Sequence, residues 1–353
     1  MGIVIEKRLT PSISWQVASI LLALLASFII SALLLKSAGA DLGKAGAALW
    51  DGAFGGWRAT WKTLVKATPL MLTGVAAAVA FRARIWNIGA EGQLYAGAIF
   101  AYWVSLMVGS LPALFLVPLL FAAGAVGGSL YGGLAGYLRA RFEVSEVLST
   151  VMLNYIVLYF LSFMLTNPWR DPSSFFQQSP KVVDNSLLPN LMPGTKLHMG
   201  FLVALAVVVI VHLVMTRSSL GYEIRAVGLN EKAARFKGID VKWVTMVVML
   251  ISGGIAGIAG VTEVFGVQGR LNPGISVGFG FIGIIIAVLA LLNPVAIVFV
   301  AILIGGSING GIKLQVATGV PSTLIDAIQA IILLFYLAAA VLARYKFRIV
   351  SNG

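Results

Sequence analysis

The chain contains the polar, helix-forming stretch Gly221-Tyr-Glu-Ile-Arg-Ala-Val-Gly-Leu-Asn-Glu-Lys-Ala-Ala-Arg-Phe-Lys-Gly238. This stretch separates two long apolar runs, residues 199–216 and 243–262. Six of the 25 basic residues lie between Arg217 and Lys242. Two interpretations follow. The stretch is a docking surface for a partner, or it is a solvated loop whose charges only fix the topology.

A helix of about two turns is predicted near the end of this stretch. Asn230 suits the N-cap, Glu231 suits the first turn, and Gly238 suits the position after the last turn. Apolar residues recur there at three- and four-residue steps: Tyr222, Ala226, Leu229, Ala233 and Phe236. Such a stripe is long enough to press into the groove of a partner.

The composition of the 353 residues identifies an integral membrane protein. Hydrophobic residues make up 59% of the chain, charged residues 11%, and the mean hydropathy is +0.96, whereas soluble domains carry roughly 25% charged residues. Since there are no cysteines and only two histidines, disulfides and cysteine or histidine metal sites are excluded. The net charge of +12 is explained by short loops that orient helices and meet lipid headgroups, so no nucleic-acid partner is expected.

We predict an all-α membrane fold of ten transmembrane helices, with residues 1–353 in one membrane domain. The predicted helices are residues 13–35, 67–81, 88–108, 113–138, 147–167, 199–216, 243–263, 277–292, 295–312 and 324–343. The first run is uncharged for 23 residues, which exceeds the core of a cleavable signal. Ten spans put both termini on one side, and 15 basic residues there against 10 opposite predict a cytoplasmic location.

Three segments are predicted to lie outside the spans. Residues 36–66 form an outer interfacial helix region, residues 168–198 an irregular extracytoplasmic loop with five prolines, and residues 217–242 the basic cytoplasmic loop. Aromatic residues share one helical face of the first segment: Trp50, Phe54, Trp57 and Trp61.

Glycines mark two of the predicted spans. One span carries a glycine at every fourth position: Gly124, Gly128, Gly132 and Gly136. Another carries Gly253, Gly257 and Gly260. Small residues at this spacing let helices approach closely in lipid, so the pattern predicts tight helix packing and says nothing about chemistry.

The segment from Phe81 to Leu94, Phe-Arg-Ala-Arg-Ile-Trp-Asn-Ile-Gly-Ala-Glu-Gly-Gln-Leu, is interrupted by glycine, asparagine and a carboxylate. Broken segments of this kind line cavities in membrane proteins, because their free backbone groups need water or protein partners. Glu91 is therefore either a residue of a solute pathway or a structural acceptor for backbone N–H groups. Glu263 and Asp326 lie near span ends, where solvation is cheap, although an ionisable group in a span is a functional hypothesis by default.

Three motifs carry a family resemblance. They are Asn87-Ile-Gly-Ala-Glu-Gly-Gln93, Leu153-Asn154-Tyr155, and the pattern Gly221…Arg225-Ala226-x-Gly228-x-Asn230…Ala233-Ala234…Gly238-Ile239. They resemble permeases of ATP-binding-cassette (ABC) importers of the branched-chain amino acid, ribose and nucleoside type. The resemblance runs from about Lys62 to Arg344. The first motif is most similar to the nucleoside and simple-sugar branch, and the longer N-terminal region is similar to the larger permease of paired nucleoside systems.

The resemblance implies a translocation subunit that is not itself an enzyme. It implies a second permease subunit (a shorter homologue in a heterodimer, or a homodimer), a cytosolic ABC ATPase that holds ATP and Mg, an extracytoplasmic solute-binding protein, and surrounding membrane lipid. The chain lacks a phosphate-binding loop of its own, since Gly305-Gly-Ser-Ile-Asn-Gly-Gly-Ile-Lys313 fails the spacing. No catalytic residue, cofactor or metal is therefore expected in this chain, and a multi-pass location in the plasma or inner membrane is expected.

The resemblance also assigns two sets of site residues. The contacts with the ATPase are Gly221, Glu223, Arg225, Gly228, Asn230, Glu231, Arg235 and Gly238. The solute pathway is Trp86, Asn87, Glu91, Gln93, Asn272, Phe279 and Phe281. For each pathway residue, a role in packing or in satisfying backbone groups is an equal alternative.

The motifs leave the solute open: nucleosides come first, then simple sugars, then branched-chain amino acids. A rival class is an ion-coupled secondary transporter with Glu91, Glu263 and Asp326 as proton or cation sites. Such carriers have no obligatory cytosolic motor that would dock on the basic loop. A membrane enzyme would need a metal cluster or a nucleophile beside a base, and the sequence offers neither pattern.

Overall fold

A computed structural model describes residues 2–7, 13–342 and 345–350. These residues form thirteen α-helices and two short strands. The helices are α1 (Ile13–Ser37), α2 (Leu42–Ala53), α3 (Trp57–Arg82), α4 (Ala90–Val108), α5 (Ala113–Phe142), α6 (Glu146–Thr166), α7 (Gly200–Arg217), α8 (Ser219–Leu229), α9 (Glu231–Phe236), α10 (Val241–Glu263), α11 (Phe279–Leu289), α12 (Pro294–Thr318) and α13 (Ser322–Leu342). The strands are β1 (Gly2–Lys7) and β2 (Tyr345–Val350), and a π-helical turn, Val264–Gln268, extends α10.

Each of the ten predicted apolar runs coincides with a helix. Within the described residues, six helices are long and apolar enough to cross a membrane: α3, α5, α6, α7, α10 with its extension, and α12. A pair bent by 118°, Leu21–Ser37 with Leu42–Ala53, gives up to a seventh span. The chain is therefore a multi-pass helical membrane protein. The total of ten spans stays a prediction, because α11 has only 11 residues and α4 begins with polar side chains.

Two compact units make up the chain. One comprises residues 1–60 and 306–353, and the other comprises residues 61–305. In the first unit β1 pairs antiparallel with β2, with Gly2 opposite Val350. The all-α prediction missed this pair, because pairing between segments at opposite ends of a chain leaves no local signal in the sequence.

The aromatic face expected within residues 36–66 is divided between two helices. α2 ends at Ala53, and α3 begins at Trp57. The intervening Gly55-Gly56 pair interrupts the helix, since glycine loses the most conformational freedom when it becomes helical. Trp50 and Phe54 therefore lie at the end of α2, whereas Trp57 and Trp61 lie in the first turns of α3.

Three helices of the larger unit, α4, α5 and α10, meet at glycines. A side chain at Gly257 would meet the carbonyl oxygen of Gly124, and a side chain at Gly97 would meet the backbone of Gly257. Gly128 and Gly253 face each other in the same way. The packing predicted from the four-residue spacing is confirmed, although Gly97 was not in the predicted set.

The loop of residues 168–198 is irregular, as predicted, and it lies against the segment that follows α10. The Ser179 N–H donates to the Leu271 carbonyl at 2.9 Å. The Arg270 guanidinium donates to the Asp171 carboxylate at 3.0 Å. These bonds hold the loop against the segment that follows α10, so the loop is not a free connector.

Candidate functional site

The basic loop folds into two helices, α8 and α9, where the sequence predicted one. Ser218 caps α8, since its hydroxyl oxygen accepts from the Gly221 N–H at 3.0 Å. Asn230 ends α8 and caps α9, accepting from the Ala233 N–H at 3.1 Å. The predicted N-cap is confirmed, and Gly238 follows α9 with a φ of +85°. α8 was missed because its serine cap directly follows the apolar run of α7.

The large apolar side chains of the predicted stripe point outward. Tyr222 is 60% exposed, Leu229 is 77% exposed and Phe236 is 92% exposed. An exposed ion pair lies beside them, in which Arg235 donates to Glu231 at 2.7 Å. These five residues are called the α8–α9 surface below. An exposed apolar tip with a charged edge is suited to docking.

Four of the residues that the resemblance assigns to ATPase contacts are buried or half-buried. A side chain at Gly228 would meet the carbonyl oxygen of Arg82, and one at Gly221 would meet the backbone of α7. Arg225 is half-buried and lines a cavity together with Arg82. Glu223 is half-buried as well. Their packing positions the α8–α9 surface, and their contact with an ATPase stays a prediction.

Buried amides hold the broken segment between α3 and α4. Asn87 Nδ2 donates to Gln93 Oε1 and to Ser252 Oγ, both at 2.9 Å. Asn87 Oδ1 accepts from Gln93 Nε2 at 3.0 Å and from the Gly89 N–H at 2.9 Å. The Ser252 hydroxyl in turn donates to the Ala76 carbonyl at 2.7 Å. The Asn87 amide is therefore fully engaged with the protein.

Asn154 of α6 supports the same segment from the other side. Its Oδ1 accepts from the Gly92 N–H at 2.8 Å, and its Nδ2 donates to the Ile88 carbonyl at 3.0 Å. Thr150 accepts from the Ile88 N–H at 3.3 Å. Asn154 therefore makes hydrogen bonds from α6 to the start of α4 and to the segment before it. Thr150 was missed, because a threonine in an apolar helix has no signal of its own.

Glu91 is buried and joins two helix starts. Its Oε2 accepts from the Gly280 N–H at 2.7 Å, so α4 supplies an acceptor for the first turn of α11. A side chain at Gly280 would meet the backbone of Glu91, so the two helix ends are in close contact. The carbonyl of the buried Phe279 accepts from the Thr73 hydroxyl at 2.9 Å. The geometry matches the structural alternative for Glu91, and a role in transport stays a prediction.

The seven predicted pathway residues differ in their exposure. Trp86 and Phe281 present large exposed rings. Phe279 is buried, and so are Asn87, Glu91 and Gln93. Asn272 is occupied in a turn, where its Oδ1 accepts from the Gly274 N–H at 2.8 Å.

Glu263 is buried, contrary to the expectation of a solvated span end. It is 1% exposed, and its Oε2 has no hydrogen-bond partner among the described residues. The charge that acts on it is Lys66 of α3. The Lys66 ammonium lies 5.5 Å from the centroid of the Phe279 ring. Lys66 was missed because a single lysine directly before a predicted span resembles an interfacial charge, although α3 begins nine residues earlier. Asp326 is exposed.

A cleft of about 530 Å³ lies between α9 and the ends of α5, α6 and α10. On its wall, Glu146 pairs with Arg139 at 3.3 Å and accepts from the Trp86 N–H at 3.4 Å. Arg84 also lines the cleft and has a φ of +56°, an uncommon conformation for arginine. The cleft connects the α8–α9 surface with the broken segment of the pathway prediction.

Asp171 and His198, both outside the spans, have shifted pKa values. Hydrogen bonds from Ser173, with its hydroxyl at 2.6 Å, hold the pKa of the Asp171 carboxyl below its usual value. Burial lowers the pKa of His198 to about 4, so the imidazole is neutral at pH 7. Its Nδ1 accepts from the Gly200 N–H at 3.1 Å. In the part of the chain that is described, no three His, Asp or Glu side chains are grouped to hold a metal ion.

Comparison with known proteins gives a family match over most of the chain. Residues 60–337 match the family described as branched-chain amino acid transport system / permease component. A glucose ABC transporter permease protein of Haloferax volcanii is 36% identical over 295 residues, or 81% of this chain and 77% of that protein. A guanosine ABC transporter permease protein of Bacillus subtilis is 36% identical over 319 residues, or 89% of this chain and 91% of that protein.

Lactococcus lactis has two related proteins. One nucleoside ABC transporter permease protein is 31% identical over 325 residues, or 89% of each chain. A second nucleoside ABC transporter permease protein of that organism is 25% identical over 252 residues, or 69% of this chain and 78% of that protein. Two different permeases of this kind therefore occur together in one organism.

Proposed function

The chain belongs to the permease-component family of branched-chain amino acid transport systems, and from that membership we propose that it is the membrane-spanning subunit of an ATP-driven importer of nucleosides. The nucleoside assignment is supported by the relatives in Bacillus and Lactococcus, whose names specify guanosine and nucleosides. Simple sugars are the alternative solute, since the glucose permease of Haloferax is equally identical. Branched-chain amino acids come third, from the family description.

One observation carries the proposed energy coupling: the α8–α9 surface is exposed while one face of α8 is packed into the fold. Phe236 is almost fully exposed, whereas Gly228 in the preceding helix lies against the Arg82 carbonyl at the end of α3. A partner that moves Phe236 would therefore displace the end of a spanning helix. We propose that this partner is a cytosolic ABC ATPase, with ATP and Mg bound there and not in this chain.

The proposed complex contains three further kinds of component. A second permease subunit completes the membrane part, and the two Lactococcus proteins favour a heterodimer over a homodimer. An extracytoplasmic solute-binding protein delivers the nucleoside on the side of residues 168–198. This arrangement puts both termini and residues 217–242 in the cytoplasm, with ten spans in the plasma or inner membrane.

Alternating access is the mechanism we propose. ATP binding in the partner closes the ATPase dimer, moves the docked α8–α9 surface, and shifts the paired permeases between inward and outward states. The ATPase must bind the two states with unequal affinity, because only a difference in affinity shifts an equilibrium.

The proposed solute path lies at the interface with the second permease. Trp86 and Phe281 offer exposed aromatic rings on which a nucleoside base can stack, with Asn272 close in sequence to the second ring. In this proposal the buried residues Glu91 and Gln93, with Asn87 and Phe279, shape the segments that carry those rings.

Reconstitution tests the proposal. Proteoliposomes with the chain, its second permease, the ATPase and the binding protein should accumulate radiolabelled guanosine only when ATP is present on the ATPase side. Excess unlabelled adenosine should compete, and glucose or leucine should not. Competition by glucose but not by adenosine would identify simple sugars, and not nucleosides, as the solute. Uphill accumulation by the chain alone would contradict an ATP-driven subunit.

The rival ion-coupled carrier is favoured by a single observation: among the residues that the structure describes, one oxygen of the buried Glu263 carboxylate has no hydrogen-bond partner. The same proteoliposomes separate the two classes. Uptake that collapses with the membrane potential and ignores ATP would support the carrier, and uptake that follows ATP in the presence of an ionophore would exclude it.

A further inference from the structure

A small cavity lies at the basic ends of the helices, apart from the cleft beside α9. Its volume is about 270 Å³, and it is bounded by the end of α3, the last turns of α7, the helix α8, and the turn between α11 and α12. Two arginines, Arg82 and Arg225, line it together with the polar side chains of His212, Thr216 and Asn293. Aspartate and glutamate are absent from the lining among the described residues.

The two arginines bring uncompensated positive charge into this cavity. The guanidinium groups of Arg82 and Arg225 are close enough to repel each other. Arg82 donates to the Leu292 carbonyl at 3.1 Å, in a turn where Leu291 and Leu292 have φ values of +52° and +60°. Within the described ranges, neither arginine forms an ion pair with a carboxylate. Both side chains are half-buried, so an anion that neutralises them is favoured.

The surroundings of the cavity are apolar on the side of the spans. Met215 and Pro294 contribute to the wall. Exposed apolar side chains continue from it along the outsides of two helices, Leu213 on α7 and Val295 and Phe299 on α12. A ligand for this place therefore combines a negative head with an apolar body.

We propose that this cavity binds the phosphate headgroup of an anionic phospholipid, with the acyl chains along α7 and α12. Basic pockets between spanning helices at the membrane surface are suited to such headgroups, and guanidinium groups bind phosphate oxygens with charge-assisted hydrogen bonds. The site is separate from the α8–α9 surface, although α8 belongs to both. Lipid bound here fixes Arg225 and thereby the position of α8 against α3.

A carboxylate of a docked protein is the competing occupant, and the geometry favours lipid. The arginines are half-buried beside lipid-facing helices, whereas the exposed charges of the loop, Glu231 and Arg235, already pair with each other on α9. Free phosphate would contact the arginines as the headgroup does, but it has no apolar part that could contact the apolar wall.

Native mass spectrometry of the full-length chain in detergent tests the site. The probes are phosphatidylglycerol and phosphatidylcholine with the same acyl chains, and inorganic phosphate. The wild-type chain should retain phosphatidylglycerol, and Arg225→Gln should weaken its affinity about fivefold or more. The matched control is Arg217→Gln, which removes an exposed charge next to Thr216 outside the cavity and should keep the affinity. Arg225→Lys keeps the charge, and it should recover part of the binding.

Several outcomes would overturn the assignment. Equal losses in Arg225→Gln and Arg217→Gln would mean that only the overall surface charge matters. Displacement of the lipid by millimolar inorganic phosphate would make free phosphate the ligand. Retained lipid together with loss of the co-purifying ATPase in Arg225→Gln would identify a protein carboxylate as the occupant. If Arg225→Gln fails to fold, His212→Gln, at another lining position, takes its place with the same expected direction.

Discussion

The Oε2 atom of Glu91 lies 2.7 Å from the backbone nitrogen of Gly280 and accepts its hydrogen bond. This bond joins the first turn of α4 to the first turn of α11, each of which follows an irregular segment. Free N–H groups at a helix start need an acceptor, and lipid offers none. A carboxylate is therefore used here as a cap supplied by a distant part of the chain.

Glu91→Gln should leave uptake nearly unchanged, because glutamine keeps an oxygen that can accept from Gly280. Glu91→Leu should lower the thermal unfolding midpoint, since an unsatisfied buried N–H costs about 1–3 kcal/mol. Vesicle uptake and thermal unfolding of both variants check this. Lost uptake in Glu91→Gln at an unchanged midpoint would instead assign the charge to transport.

Phe236→Asp should release the ATPase from the purified complex while the permease stays folded, because the side chain is exposed and makes the apolar tip of the α8–α9 surface. Co-purification of the ATPase measures the effect. Phe175→Asp is the matched control, since this phenylalanine is equally exposed in the loop of residues 168–198. Equal ATPase retention in both variants would argue against docking at α9.

Gly257→Ala should destabilise the protein by about 1–3 kcal/mol, as overpacking does, because the new methyl group would meet the Gly124 carbonyl. Gly46→Ala in α2 is the control. No atom lies within 4 Å of its added methyl group, so it should be neutral or stabilise by up to about 1 kcal/mol. Thermal unfolding in one detergent compares the two. An unfolding midpoint of Gly257→Ala equal to that of the wild type would mean that α4, α5 and α10 can shift apart enough to accommodate the methyl group.

Stability should fall as the pH drops from about 6.5 toward 4 because of His198. Its folded pKa of about 4 lies below the usual 6.5, so the unfolded chain binds more protons in that window. The stability gained from keeping His198 neutral is fully present above about pH 6.5, where it amounts to about 3 kcal/mol. Unfolding midpoints between pH 4 and 8 measure it. His198→Gln should flatten the curve, and a variant curve parallel to the wild type would exclude this histidine as the cause.

Lys66→Met should destabilise the protein more than the double variant Lys66→Met/Glu263→Gln. The single change removes the cation that acts on the buried Glu263, whose Oε2 accepts no hydrogen bond from the described part of the chain. A buried carboxylate that loses a nearby opposite charge is destabilising, and neutralising both groups should recover part of the loss. A double-mutant cycle of unfolding free energies gives the coupling. Additive effects would show that the two charges act independently.

Local patterns in the sequence predicted the helices and some of their contacts. The four-residue glycine repeat predicted the packing of α5, because spacing and residue size are both local properties. Asn230 predicted the start of α9 for the same reason. The partners of Asn87 could not be predicted, since Ser252 is distant in sequence and looks like any serine in an apolar run. Burial of Glu263 was missed because depth in a fold depends on neighbours such as α3.

The exposed and buried members of the coupling motif illustrate the same limit. Gly228 and Arg235 both belong to a pattern that resembles the family. Only the structure separates the glycine that lies against α3 from the arginine on the open edge. A motif records which residues are present, and packing decides which of them a partner can touch.

The hydrogen bond from Asn87 to Ser252 has a consequence for biogenesis. Ser252 is translated long after Asn87, so the early segment leaves the ribosome without its acceptor. Until α10 has inserted, one donor of the Asn87 amide needs water as its partner, whereas Gln93 is already present for the other. A nascent chain arrested before α10 should therefore be more open to proteases and membrane quality control than one arrested after it.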